Sequence, residues 1–241
     1  MQLQTLLSKT RKAIDDYHMI EDGDTIAIGI SGGKDSLTLL YAMSELRRFY
    51  PHKYNLKAIS VNLGYDIDYT KVEEFCRRLD VELTIIPTQI KDIVFDIRKE
   101  ENPCSLCSKL RKGAFNDAAK EIGCNKTAYA HHKDDVIETM LMSLIYEGRI
   151  HTFSPVTYLD KSDVTLIRPL IYVNECDVTG FKNKYDLPVF KNPCPADGYT
   201  KREEVKELIK QLNNSAPGIR DRLFRAVQSG VITSWKKPDE Q

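Results

Sequence analysis

The strongest constraint on this chain is a repeated alternation of two hydrophobic patterns. Short apolar runs at 24–30, 56–62, 82–87, 126–131 and 164–167 read as buried strands. Between them lie segments with helical spacing. The first, over 3–18, carries a stripe of Leu3, Leu6, Leu7, Ile14 and Tyr17. Further helices are expected over 35–49, 69–79, 107–123, 134–146, 174–185 and 201–212, with a last one from Pro217 to about Ser229. Strand followed by helix, many times over, argues for a parallel sheet covered on both faces. The right-handed crossover rule then favours a doubly wound, open, five-stranded parallel α/β sheet. A helical C-terminal extension completes the expected fold. With 241 residues, the chain fits one large domain or one domain with an appendage. The expected division is an N-terminal helix over 1–20, a catalytic domain over 21–195 and a helical extension over 196–241.

Composition excludes several classes. Hydrophobic residues are 41% and charged residues 29%, which rules out disorder throughout, collagen and a coiled-coil rod. No apolar run approaches the ~18 residues of a membrane span, and the N-terminus lacks an apolar core with a small-residue cleavage site. A cytoplasmic protein that does not engage a membrane is expected. Lys+Arg and Asp+Glu are both 35, so there is no global basic bias toward nucleic acid. The basic residues are grouped, however: Arg47, Arg48, Lys53 and Lys57 occur with no intervening acid, and Lys109, Arg111 and Lys112 lie together.

In doubly wound sheets, ligands sit beyond the carboxyl ends of the strands. Three chemistry-bearing segments fall there: 31–36, 62–65 (with Asn62) and 131–135. The first reads Ser31-Gly32-Gly33-Lys34-Asp35-Ser36 at a strand-to-helix junction. Two glycines permit a tight turn and close backbone approach. The N–H groups at the helix start then form an anion nest, supported by Lys34 and the two hydroxyls. This is not a Walker A loop: Ile28 stands where its first glycine belongs, and Asp35 follows the lysine. An acid beside a phosphate site needs a cation between them, so Asp35 is a candidate ligand for Mg²⁺.

Six cysteines in a chain of this length are too sparse for a disulfide scaffold. Cys104 and Cys107 form a CxxC ahead of a helix, a position that favours thiolate. Cys194 stands far along the chain between Pro193 and Pro195. Cys76, Cys124 and Cys176 are expected to be small buried residues. A lone CxxC is compatible with redox chemistry, zinc or an iron–sulfur cluster. A closed zinc site needs four ligands, and Asp197 occupies the last position of what would be a second CxxC. Three cysteines suit a cubane cluster with one iron left open to a small anion.

SGGKDS resembles the PP-loop of the ATP-pyrophosphatase superfamily, also described as N-type ATP pyrophosphatases or adenine nucleotide α-hydrolases. His131-His132-Lys133-Asp134-Asp135 is similar to its second motif, with Ala130 in place of the usual glycine. PCSLCSKLRKGAF (103–115), IRPL (167–170) and NPCPADG (192–198) complete the order. Together they resemble the tRNA 2-thiocytidine synthetase family within the TtcA/TtuA group of tRNA thiolases, from about Leu6 to about Gln228. The resemblance implies a [4Fe-4S] cluster on Cys104, Cys107 and Cys194. It also implies ATP bound by residues 31–36 with His131 and Asp135, and catalysis by Lys34, Asp35, Asp135 and the three cysteines. The implied reaction adenylates the C2 oxygen of a pyrimidine in tRNA, cytidine 32 above others, and replaces it with sulfur. Sulfide or sulfur from a cysteine desulfurase is the implied donor, and the implied assembly is a homodimer. Arg47, Arg48, Lys53, Lys57, Lys109, Arg111 and Lys112 would meet RNA. The competing readings are the same chemistry on uridine or on a small molecule, a metal- or redox-sensing protein, and lysidine-type ligation. The last has no need of the three cysteines.

Overall fold

The computed structural model describes residues 1–98, 103–190, 193–194 and 201–231. Asp197 therefore lies outside the described residues. Six strands form one sheet: β1 (Thr25–Gly29), β2 (Asn55–Asn62), β3 (Glu82–Pro87), β4 (Lys126–Ala128), β5 (Val156–Leu159) and β6 (Val164–Ile167). Their spatial order is β3-β2-β1-β4-β6-β5. All pairings are parallel except β5 with β6. The expected parallel α/β sheet is present, with one strand more than the sequence reading assigns. That extra strand is a half-exposed edge joined to β6 by a tight turn, with Asp163 at φ 51. Its four residues carry too little apolar periodicity to announce a strand.

Eight helices are described: α1 (Leu3–Asp16), α2 (Lys34–Arg47), α3 (Thr70–Arg78), α4 (Pro103–Glu121), α5 (Lys133–Glu147), α6 (Glu175–Lys184), α7 (Lys201–Ser215) and α8 (Ile219–Ala226). Short wide-turn helices at Asp92–Ile97 and Val227–Val231 add to these, the first not expected from sequence. The two faces of the sheet are unequal. Ile26 and Ile28 of β1 join the main core with Leu37, Leu39 and Leu40 of α2, Val136 of α5 and Phe181 of α6. Between them, Ala27 points to the opposite face, where Phe115, Ala118 and Ala119 of α4 cover it. Strand alternation thus sends one side of β1 to each helical layer. Both chain ends share the main core, through Leu6, Ala13 and Ile14 of α1 and through Val205, Ile209 and Phe224 near the C-terminus.

A buried ion pair ties the amino ends of β1 and β4. Lys126 Nζ lies 2.8 Å from Asp24 Oδ2 and donates to the Met19 carbonyl at 3.1 Å. Asp24 also accepts from Asn125 Nδ2 and the Glu21 N–H, each at 2.7 Å. Removing one partner of such a pair leaves a buried charge with reduced compensation. Lys126→Met should therefore lower unfolding stability by about 3 kcal/mol in urea denaturation. An unchanged midpoint would show that the pair does not secure this end of the sheet.

Candidate functional site

β1 and β4 are neighbours, with Ile28 beside Ala128. The chain leaves β1 toward β2 on one side, whereas β4 is followed by β6 on the other. Such a topological switch opens a crevice at the carboxyl ends of the two strands. Residues 31–36 and 131–135 both arrive there. A cleft of about 530 Å³ fills the crevice, lined among others by Ser31, Asp35, Ser36, Tyr65, Arg111, Lys112, His131, Asp135, Phe190 and Arg202.

The loop after β1 is built by its glycines. Gly32 has φ +77, and a Cβ there would lie 2.1 Å from the Phe190 ring. Phe190 also donates its N–H to the Gly32 carbonyl at 3.1 Å. Ser36 braces the turn: its hydroxyl donates to the Gly33 carbonyl at 3.0 Å and accepts the Ser31 N–H at 3.2 Å. Gly33 caps α2 with extended backbone and no side chain. Gly32, Gly33 and Lys34 are not among the residues lining the cleft. Instead, Lys34 Nζ lies 3.1 Å from both Asp35 Oδ1 and Glu175 Oε1. Burial lowers the Lys34 pKa, but Asp35 and Glu175 outweigh it and raise the value. Glu175 shows the reciprocal effect. Burial raises its pKa, while Lys34 and then Lys206 pull it from its ordinary 4.5 down to about 2.

The second segment is a helix start. The His132 Nδ1 accepts the Asp135 N–H at 3.4 Å, and Asp135 Oδ2 accepts the His132 N–H at 2.9 Å, a reciprocal cap. His132 Nε2 then reaches 3.8 Å from Asp35 Oδ1, linking the two motifs. Asp134 is buried and structural: it accepts the Glu175 N–H at 2.7 Å and Arg220 at 2.8 Å. Asp135 lines the cleft, with Arg202 at 3.5 Å from its Oδ1. Arg202 also donates to Glu138 Oε2 at 2.8 Å. His131 is neutral. Burial, followed by the charge of Arg168, holds its pKa well below 6.5. Its Nδ1 accepts from Arg168 Nε at 3.2 Å, which leaves the proton on Nε2.

Cys104 and Cys107 lie in the first turns of α4, not ahead of it, because Pro103 opens the helix. Three residues apart, they share one helical face. Cys194 comes to the same place from a segment that is neither helix nor strand. Burial raises the Cys107 pKa; Arg111 opposes this, and Cys194 and Cys104 add to it, so both other thiols lie near Cys107. Tyr65 lines the cleft. Burial raises its pKa to about 12, with Cys194 and then Cys107 adding. Cys76 and Cys124 are buried as expected, whereas Cys176 is exposed on α6. Among the described residues, no three His, Cys, Asp or Glu side chains close on a single ion. Zinc would draw its sulfurs to about 2.3 Å from one centre, whereas a four-iron cube spreads its ligands round a larger body. An all-thiol set of this kind, with no carboxylate or imidazole among it, fits an iron–sulfur cluster. Asp35 fits Mg²⁺ only as a single ligand, with substrate phosphates providing the rest.

Other expected residues are placed elsewhere. Asn62 does not line the cleft; its Oδ1 accepts the N–H groups of Gly64 at 2.9 Å and Tyr65 at 3.1 Å. Arg47, Arg48, Lys53 and Lys57 lie toward the amino ends of the strands, since the 14 residues of α2 carry the chain about 20 Å from the loop. Arg47 donates to the Leu79 and Asp80 carbonyls, and Lys57 to that of Ile122. Lys109 is exposed on α4. The sequence reading does not single out Arg202, Glu175 or Phe190; Tyr65 and Arg168 fall within its segments 62–65 and 167–170, but it gives them no role. Arg168 is buried and donates to Thr157 Oγ1 at 3.2 Å, and burial lowers its pKa to about 10. Burial also lowers the pKa of Lys112, with further contributions from Arg168, Arg111 and Arg202. Three cations, Arg111, Lys112 and Arg202, thus line the cleft with Arg168 buried nearby, an arrangement that favours an anionic ligand.

Two outcomes follow from this geometry. Gly32→Ala should lower ATP affinity at least tenfold by calorimetric titration, because the loop must move off Phe190; wild-type affinity would show that the turn is not part of the nucleotide site. Glu175 has a depressed pKa, so its ion pairs stabilise the fold fully above about pH 4.5 and weaken as pH falls toward 2. Glu175→Gln should therefore melt below wild type at pH 7, with the gap closing over that window; a gap independent of pH would contradict the assignment.

Comparison with known proteins identifies the family. A PP-loop domain family matches residues 3–212. The tRNA-cytidine(32) 2-sulfurtransferase of Syntrophotalea carbinolica is 38% identical over 225 residues, covering 90% of this chain and 86% of that protein. The protein of the same name from Pelobacter propionicus is 37% identical over 226 residues, covering 90% and 82%. Among solved structures, the U34-tRNA thiolase NcsA from Methanococcus maripaludis, described with its [4Fe-4S] cluster, superposes with a TM-score of 0.74 at 27% identity, covering 92% of this chain and 77% of that one. An NMN synthetase from Francisella tularensis shares the fold alone, at TM-score 0.56 and 13% identity. With the PP-loop at the switch point and three thiols beside its cleft, the chain belongs to the tRNA-cytidine(32) 2-sulfurtransferase family of PP-loop enzymes.

Proposed function

We propose that this tRNA sulfurtransferase adenylates the C2 oxygen of cytidine 32 in tRNA and replaces it with sulfur, giving 2-thiocytidine. The observation that carries the reading is the shared wall: Tyr65 and Arg111 both line the cleft and both act on the thiol group. The C2 oxygen of a pyrimidine is a very poor leaving group and must be activated before sulfur can enter. Its attack on the α-phosphate of ATP forms an oxygen–phosphorus bond and releases pyrophosphate. Sulfur then forms a bond to C2, and the oxygen departs with AMP.

The N–H groups around Gly32 and Gly33 favour the phosphate chain, and Asp35 would share Mg²⁺ with it. On binding phosphates, Lys34 would exchange part of its carboxylate pairing for them. His131 offers a neutral Nε2–H to the cleft. Arg111, Lys112, Arg168 and Arg202 supply a fixed positive field where charge develops. A [4Fe-4S] cluster on Cys104, Cys107 and Cys194, when bound, supplies an iron without a protein ligand at which a sulfur anion is held deprotonated. Sulfide would be the direct donor; sulfane sulfur from a cysteine desulfurase would first be reduced to sulfide by two electrons from a thiol reductant. A single-stranded RNA loop lets the target nucleotide swing out cheaply, and Lys109, Arg111 and Lys112 on α4 would meet its phosphates. Cytidine is favoured over uridine because relatives named for cytidine 32 reach 33–38% identity over 90–94% of the chain, against 27% for the uridine enzyme.

Mass spectrometry of tRNA nucleosides tests the assignment. A deletion strain should lose 2-thiocytidine and regain it with this chain; loss of 2-thiouridine instead would favour the uridine reading. The two halves of the site should also separate. Asp35→Ala should retain iron and lose about 100-fold in thiolation. Cys194→Ser should lose iron and retain ATP binding. Full iron and activity in Cys194→Ser would refute the ligand set.

A further inference from the structure

We propose that Lys206 is a positioning residue of the nucleotide site: it shares the Glu175 carboxylate with Lys34, so that Glu175 stays paired when Lys34 turns to the phosphates of ATP. The inference rests on the reading of residues 31–36 as the phosphate loop and adds a residue from the C-terminal helices to it. The Lys34 ammonium is fully engaged by carboxylates. It donates to Asp35 Oδ1 and Oδ2 at 3.1 and 3.2 Å and to Glu175 Oε1 at 3.1 Å. A phosphate chain can gain this cation only if those contacts loosen.

Glu175 cannot follow Lys34 toward the loop. It is the first residue of α6, and its N–H is held by Asp134 Oδ2 at 2.7 Å. Asp134 is itself fixed by Arg220 at 2.8 Å. The Glu175 backbone is thus tied to the second motif while its side chain serves the first. If Lys34 moves off, the carboxylate needs another cation, because a half-buried charge without a partner is unfavourable.

Lys206 supplies it. Its Nζ lies 3.2 Å from the same oxygen, Glu175 Oε1, that takes Lys34. Among the described residues, these two lysines are the cations within ion-pair distance of Glu175. Lys206 is placed from below: Val205 and Ile209 anchor α7 in the main core. One turn earlier on α7, Arg202 pairs with Glu138 at 2.8 Å and stands 3.5 Å from Asp135. Residues four apart share a helical face, so one face of α7 serves both nucleotide motifs. Without Lys206, Glu175 would hold Lys34 alone, and phosphates would compete against a tighter grip.

A double-mutant cycle on the full chain, read by calorimetric titration with a non-hydrolysable ATP analogue and magnesium, tests this. Lys206→Met should weaken binding about fivefold, the size expected of a partly exposed ion pair. Lys206→Arg keeps the charge and should stay within about twofold of wild type. In a Glu175→Gln background, Lys206→Met should change nothing further, because no carboxylate remains to hold Lys34. If Lys206→Met does not fold by circular dichroism, Lys206→Gln takes its place in the same cycle. Wild-type affinity in the folded variant would overturn the role of Lys206. So would a loss of the same size in the Glu175→Gln background, which would mark a charge effect that does not act through Glu175. A wild-type protein that binds no analogue would overturn the reading of the phosphate loop, and this proposal with it.

Discussion

The pairing of β1 with β4 decides where everything else can happen. Two parallel strands lie side by side, and the chain leaves them toward opposite edges of the sheet. No helix can cover the crevice between their carboxyl ends, so it stays open. The SGGKDS turn and the HHKDD cap converge there from strands roughly 100 residues apart, a separation typical of crossover topology. The ion pair of Asp24 with Lys126 secures the other end of the same two strands. Helix α4 crosses the sheet to connect β3 with β4, and this crossing carries Cys104 and Cys107 to the rim of the crevice.

Charge is distributed unevenly around that crevice. On one side, Asp35, Asp134, Asp135, Glu138 and Glu175 cluster near three helix starts, where the helix dipole favours acids. Lys34, Lys206, Arg202 and Arg220 neutralise them, three of these from the C-terminal helices. The C-terminal segment therefore holds the nucleotide loop indirectly, through Glu175. On the other side, Arg111 and Lys112 line the cleft with fewer acids to meet them, and Arg168 lies buried behind His131. An ATP phosphate chain or an RNA backbone brings the missing negative charge.

Much of this was legible in the sequence, for reasons that differ by residue. The runs around Ile28 and Ile59 are continuous and apolar because both faces of those strands are covered, and Gly32 and Gly33 mark a turn that a side chain would block. The order of strands was not legible, since nothing local tells β4 to lie beside β1. β5 escaped notice because an exposed edge of four residues has no apolar signature. Pro103 shifted the CxxC into α4, a capping preference that was available to the reading but not used. Arg202 and Glu175 carry no motif of their own, and Arg168 lies in IRPL, which names no role for it; only packing reveals that their charges meet. The place of Asn62 after β2 suggests a ligand contact, but its side-chain Oδ1 shapes the Tyr65 turn instead.

In the proposed site the nucleotide and the three thiolates share one cleft. Anomalous diffraction at the iron edge, from anaerobic crystals grown with a non-hydrolysable ATP analogue, measures both positions in one experiment. The account predicts an iron signal enclosed by Cys104, Cys107 and Cys194, opening onto the cleft in which the analogue's phosphates rest against Gly32 and Gly33. Iron bound elsewhere, or an analogue seated away from that cleft, would contradict it.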